Sequence, residues 1–275
     1  MEVSDSILEH LRRVTALPDL TGTRYELETE IGRGGVGVVY AARDRELDRR
    51  VALKVLELPI AGEAQLIARL EHPGIVPIFE TGTLADGRSF YAMKLVSGTR
   101  LDHFAAGDHS LSERLRVVRR VGEALAYAHS RGVIHRDLKP QNVMVGEFGE
   151  VYVMDWGVEA VKGTVGFRAP EPRLDQLSDV YSLGALLNFL STASSPRAVA
   201  AIAVKATNAD PCQRYASVSA FLADVDRFEQ GMAVEAWSEP VWHRFKRFAF
   251  RNAMLLWLLV AYTLVKFLMF FWKKF

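Results

Sequence analysis

From Tyr25 onward apolar and polar positions alternate along the chain. YELETEI (25–31), VGVVYAARD (36–44) and RRVALKVLEL (49–58) read as three successive strands, because neighbouring side chains of a strand point to opposite faces. GIVPIFETG (74–82) and RSFYAMKLV (88–96) add two more, divided by the turn residues Ala85-Asp86-Gly87. GEAQLIARLEH (62–72) is the one helical stretch among them. After Gly98 the apolar spacing lengthens to three or four, in LSERLRVVRRVGEALAYAHSRG (111–132), SDVYSLGALLNFL (178–190), PRAVAAIAVKAT (196–207) and SVSAFLADVDRFEQ (217–230). The pattern predicts an α+β molecule: an N-terminal arm (1–24) with a short amphipathic helix over 5–17, a small antiparallel β lobe with one helix (25–98), and a helical large lobe (99–231).

The last part of the chain is of another kind. Ala253 to Trp272 is twenty residues broken only by Lys266, and at about 1.5 Å per residue it reaches the roughly 30 Å of a hydrocarbon core. A single C-terminal transmembrane helix is the expectation, with Lys266 near enough to its end to snorkel. Before it, residues 232–252 form a juxtamembrane segment in which Trp242, Phe245, Phe248 and Phe250 interleave with Arg244, Lys246, Arg247 and Arg251, a pattern suited to anionic lipid. Its four cations outnumber Lys273 and Lys274 beyond the span, which predicts that residues 1–252 face the cytoplasm.

Composition agrees. With 49% hydrophobic and 24% charged residues the chain is an ordinary globular mixture, which excludes wholesale disorder and collagen-like repeats. The net charge of +1 hides a split: residues 241–275 hold seven Lys/Arg and no Asp/Glu, leaving −6 on residues 1–240. Net positive charge confined to an aromatic-rich tail argues for lipid and against nucleic acid. The single cysteine, Cys212, cannot form an internal disulfide and fits a reducing compartment.

Candidate chemistry begins at Gly32-Arg33-Gly34-Gly35-Val36-Gly37-Val38-Val39. A strand lies on both sides of this GxGxxG, so it is a hairpin and not the strand-to-helix turn of a dinucleotide fold; glycines there let backbone amides approach phosphate oxygens. Further on stand Val51-Ala52-Leu53-Lys54, His135-Arg136-Asp137-Leu138-Lys139-Pro140-Gln141-Asn142, Asp155-Trp156-Gly157 and Ala169-Pro170-Glu171. In this order the motifs make the chain resemble the membrane-anchored, eukaryotic-type serine/threonine protein kinases of bacteria, from about Tyr25 to Gly231.

The resemblance implies a two-lobed protein-kinase fold and transfer of the ATP γ-phosphate to protein Ser/Thr hydroxyls, with ATP and Mg²⁺ as cofactors. Lys54, oriented by Glu63, would hold the α- and β-phosphates; Asp137 would accept the hydroxyl proton and Lys139 balance the γ-phosphate. Asp155 and Asn142 would be the metal ligands. Gly32, Gly34 and Gly37 would cover the phosphates. Adenine would lie between Val39 and Ala52 on one side and Met144 on the other, its edge read at Lys94 and Val96 with Met93 behind. His135 would pack on Trp156, Asp179 would brace the catalytic loop, and Glu171 would pair with Arg214.

Three segments are short for such a kinase: nine positions from Lys54 to Glu63, sixteen from Asp155 to Glu171 with Thr164 the only hydroxyl between those two motifs, and eight from Leu190 to Ala198, too few for a further helix. The competing readings are a pseudokinase or ATP-binding membrane scaffold, and a small-molecule kinase. The protein substrate is not specified by the sequence, and self-association of two copies through the tail is a further possibility. If active, the enzyme is expected to work largely without phosphorylation of its activation segment.

Overall fold

The structure is a computed structural model that describes residues 17–34, 37–56, 68–156, 166–238 and 253–272. The N-terminal helix expected over 5–17 (all but Leu17), Glu63, Thr164 and the basic-aromatic run at 242–251 lie outside the described residues.

Strands β1 (Tyr25–Gly34), β2 (Gly37–Asp44), β3 (Arg49–Leu56), β4 (Ile78–Thr83) and β5 (Ser89–Lys94) form one antiparallel sheet in the order β1-β2-β3-β5-β4. Alternation gives this sheet two different faces. Val38, Tyr40, Leu53, Val55 and Phe90 point one way into a separate apolar core closed by Tyr25 and Leu84. Burying each such side chain stabilises the lobe by about 1.5–3 kcal/mol. Register sets Val39 opposite Lys54, Lys54 opposite Tyr91 and Ala52 opposite Met93, so these five share the other face. The β2–β3 hairpin is fixed by Asp44, whose buried carboxylate accepts from the N–H groups of Glu46 and Leu47, both at 3.2 Å.

A second sheet went unforeseen. β6 (Thr99–Arg100), β7 (Val143–Val145) and β8 (Val151–Val153) pair in that order where only helices were expected, since strands of two or three residues are too short to show a period. Ile75 bridges to Val153 and the Val153 N–H donates to Gly74 O at 2.8 Å, tying the connection ahead of β4 to this sheet.

In the large lobe α1 (Leu101–Ala105) leads to α2 (Leu111–Ser130), which opens on a capping box between Ser110 and Glu113. The buried stripe Leu115, Val118, Val121, Leu125 and Ala128 of α2 faces α3 (Gln176–Leu190) and α5 (Val218–Glu229). Gly122 allows close approach there: a Cβ would stand 2.6 Å from Leu222 Cδ2. Only residues 191–196, without helix, separate α3 from α4 (Arg197–Ala206). Arg114 of α2, itself buried, donates to the carbonyls of Ala105, Gly107, His109 and Leu190, tying the loop between α1 and α2 to the end of α3.

Ala253–Trp272 is one helix, α6, as the apolar run predicted. Tyr262, Thr263 and Lys266 interrupt its apolar surface, and among the described residues no helix is long and apolar enough to cross a membrane. The expected transmembrane span is corrected to that extent.

Candidate active site

The inner face of the first sheet, the second sheet and the loop at 135–142 enclose a cleft of about 690 Å³. Gly32, Gly34, Gly37 and Val39 enter it from β1 and β2, Ala52 and Lys54 from β3, and Met93, Lys94 and Val96 from β5 and the residues after it. Asp137, Lys139, Asn142 and Met144 line the opposite wall, and Asp155 follows β8. Every site residue singled out from the sequence that falls among the described residues therefore meets at one cleft; Glu63 lies outside them. Ile31, Val76, Leu95, Arg100, Gln141 and Met154 also line it. Ile31 could have been read as the last alternating position of its strand, and Gln141 lies inside a quoted motif; Arg100 carried no signal.

Two lysine–carboxylate pairs line the cleft, the first across it and the second within the loop at 135–142. Lys54 Nζ donates to Asp155 Oδ1 at 2.6 Å and Lys139 Nζ to Asp137 Oδ2 at 2.6 Å. Burial works against a charged Lys54, but Tyr91 and Asp155 outweigh it and hold its pKa above the ordinary lysine value, so the ammonium persists at neutral pH. Asn142 Nδ2 donates to Asp137 O at 2.8 Å and to Asp137 Oδ2 at 3.3 Å, which turns the amide oxygen of Asn142 away from Asp137. The N–H of Met154 in turn donates to Asn142 O at 2.8 Å, joining the stretch before Asp155 to the loop.

The loop backbone is held from below. Asp179 of α3, fully buried, accepts from His135 N–H at 2.8 Å and Arg136 N–H at 3.0 Å, and His129 Nε2 lies 2.7 Å from the same carboxylate. Arg136 and Asp155 have positive φ, 68° and 57°, a region non-glycine residues enter only when surroundings enforce it. His135 is fully buried, its ring 4.8 Å from that of Trp156, and its Nε2 lies 2.9 Å from Met154 O. Burial holds its pKa below the ordinary histidine value, so the ring is neutral and packs instead of shuttling protons. Trp156 Nε1 donates to Val153 O at 2.9 Å. Glu171 and Arg214 pair by two hydrogen bonds, 2.8 and 2.7 Å.

The three glycines differ. Among the described residues, a Cβ at Gly32 would meet nothing within 4 Å and one at Gly34 only Gly37 O at 4.0 Å, so no described neighbour demands glycine at either. At Gly37 a Cβ would stand 2.1 Å from Val55 O, so there the glycine is demanded by the neighbouring strand. At the far end, Lys94 spends its N–H on Pro77 O at 3.1 Å, leaving its carbonyl as the group that could read a base edge.

Two ammonium groups, two carboxylates and an amide oxygen suit a triphosphate with a hard divalent cation. Among the described residues no three His, Cys, Asp or Glu side chains converge to hold a metal by themselves, so Asp155 and Asn142 would share the cation with phosphate and water oxygens.

Comparison with known proteins agrees with this geometry. Residues 25–225 match the protein kinase domain family. A probable serine/threonine-protein kinase of Streptomyces coelicolor is 34% identical over 281 residues, covering 80% of this chain and 42% of that protein. The serine/threonine-protein kinase PknB of Mycolicibacterium smegmatis is 31% identical over 281 residues (80% and 45%), and PknD of Protochlamydia amoebophila 30% over 284 (82% and 26%). The chain thus spans less than half the length of these relatives. The solved apo form of PpkA-294 superposes with a TM-score of 0.66 at 21% identity, over 76% of this chain and 99% of that one, and shares its fold. The chain belongs to the protein kinase domain family, among the serine/threonine kinases of the bacterial, eukaryotic-like type.

Proposed function

We propose that this chain transfers the γ-phosphate of ATP to serine or threonine hydroxyls of protein substrates and is brought to a lipid surface by its C-terminal tail. The observation that carries the transfer reading is the meeting of Lys54, Asp137, Lys139, Asn142 and Asp155 in one cleft edged by Gly32, Gly34 and Gly37. Phosphoryl transfer asks a protein mainly for charge neutralisation and placement of the acceptor. Lys54 binds the α- and β-phosphates. Lys139, within hydrogen-bonding distance of Asp137, extends to the γ-phosphate. Asp137 Oδ2 is engaged by Lys139 and Asn142, so Oδ1 is the oxygen that takes the proton of the acceptor hydroxyl. Asp155 and Asn142 hold Mg²⁺, which when bound supplies positive charge against the phosphate oxygens.

Incubation with labelled ATP and Mg²⁺ tests this: the wild type should yield phosphoserine or phosphothreonine and Asp155→Ala should not. ATP binding without transfer by the wild type would favour the scaffold reading.

Support for the tail comes from Met254, Trp257, Leu258, Val265 and Trp272, large apolar side chains left exposed along α6, together with the basic-aromatic run before it. Flotation with vesicles containing anionic lipid should carry the full chain and leave residues 1–240 behind; equal flotation of both would reject the tail as the anchor.

A further inference from the structure

Lys94 stands where the two sheets are joined. β5 ends on it, and residues 95–98, which have no helix or strand of their own, carry the backbone from the first sheet to β6 in the second. The Lys94 N–H donates back to Pro77 O at 3.1 Å, just ahead of β4 in the small lobe. Its side chain goes the other way. Nζ donates to the Tyr152 hydroxyl of β8 at 2.5 Å and lies 4.5 Å from the centre of that ring.

Alternation puts Tyr152 within reach. Val151 and Val153 of β8 turn into the large-lobe core, which sends Tyr152 to the opposite face beside Met144, its partner in the β7–β8 register and a residue that lines the cleft. An ammonium on a phenol oxygen is a charge-assisted bond in which no second charge gives up its water, and the ring attracts the same cation. Lys94 is therefore held by its backbone in one lobe and by its side chain in the other. We propose that Lys94 and Tyr152 form a strap between the lobes, and that Tyr152 is a positioning residue for the nucleotide, acting through Lys94 to fix the carbonyl that reads the adenine edge.

The inference rests on the kinase reading for its nucleotide but not for its deciding test. Tyr152→Phe keeps the ring and removes the hydroxyl that Lys94 holds. In the nucleotide-free full chain, amide hydrogen exchange should be about three- to tenfold faster in peptides covering residues 90–98 and unchanged in those covering residues 111–130 of α2. KM for ATP should rise by a similar factor with kcat within about twofold, the split expected when an interaction shared by ground and transition states is lost. Lys94→Met should give the same local exchange, and the double variant no more than either single one, because both remove one contact. Unchanged exchange in Tyr152→Phe, or acceleration that extends to α2, overturns the strap whatever the activity. Additive effects in the double variant overturn the pairing, and faster local exchange with KM unmoved overturns the positioning role. Faster local exchange in a protein whose wild type binds no ATP upholds the strap and rejects the kinase reading alone.

Discussion

The N–H of Arg136 donates to Asp179 Oδ1 at 3.0 Å, and Arg136 sits there at φ 68°, so a buried carboxylate in the first turn of α3 holds a left-handed residue directly before Asp137. The other oxygen of Asp179 takes His135 N–H. Asp179→Asn keeps the shape but replaces one acceptor by a donor facing a donor. It should lower kcat at least tenfold and stability by about 1–3 kcal/mol, as expected when a buried backbone donor loses a charged acceptor. Steady-state rates beside a urea titration give both numbers. A variant with unaltered kcat would show that the loop keeps its form without this brace.

Glu171 and Arg214 form a second joint, between the end of the activation segment and the turn ahead of α5. The Arg214 side chain is fully buried, and beyond Glu171 it donates to Asn208 O at 2.7 Å and Leu177 O at 3.0 Å. Arg214→Ala should cost about 3–5 kcal/mol, because it leaves a carboxylate and carbonyls without their donor. The hydrogen bonds from Arg214 also hold the Glu171 carboxyl below its ordinary value of 4.5, against the opposing effect of burial. A depressed carboxyl pKa stabilises the fold fully above pH 4.5, and the contribution fades as pH falls through the folded value. Melting temperature should therefore drop more steeply on acidification in the wild type than in Glu171→Gln. Parallel curves would contradict the assignment.

The glycines can be separated by experiment. Gly37→Ala should destabilise the small lobe by about 1–3 kcal/mol, since its Cβ collides with a backbone carbonyl of β3. Gly32→Ala should change stability by less than about 0.5 kcal/mol and instead raise KM for ATP, since its Cβ enters the space beside the phosphates. Thermal denaturation and ATP titration of the two variants read the difference. Loss of stability in Gly32→Ala with KM unmoved would place that glycine in the structural class.

These contrasts mark what the chain discloses by itself. β2, β3 and β5 are legible because each is a run of six to eight residues rich in apolar strand formers, and α2 and α5 because their apolar stripes persist for three turns or more. The charged cleft residues are legible for another reason: Lys54, Asp137, Asn142 and Asp155 stand in short motifs whose chemistry constrains spacing more than burial does. What escapes is whatever depends on register or on distant chain. Tyr91 looks like any strand aromatic until the β3–β5 pairing sets it opposite Lys54. Gly37 reads as a phosphate-loop glycine until Val55 O is found against it. Arg114 looks like one more surface cation of an amphipathic helix, yet it is buried among four carbonyls from two parts of the chain. β7 and β8 escape for lack of length.

Phosphoryl transfer in this cleft, with Asp137 as the proton acceptor, is the proposal on which the other catalytic predictions rest. Its most direct test is a paired measurement on the full chain, ATP affinity and phosphate transfer, for wild type and Asp137→Asn. The substitution leaves Lys54, Asp155 and the glycine edge in place, so ATP should bind within about twofold of wild type while turnover falls by about two to four orders of magnitude. Equal turnover in the two proteins would contradict the account.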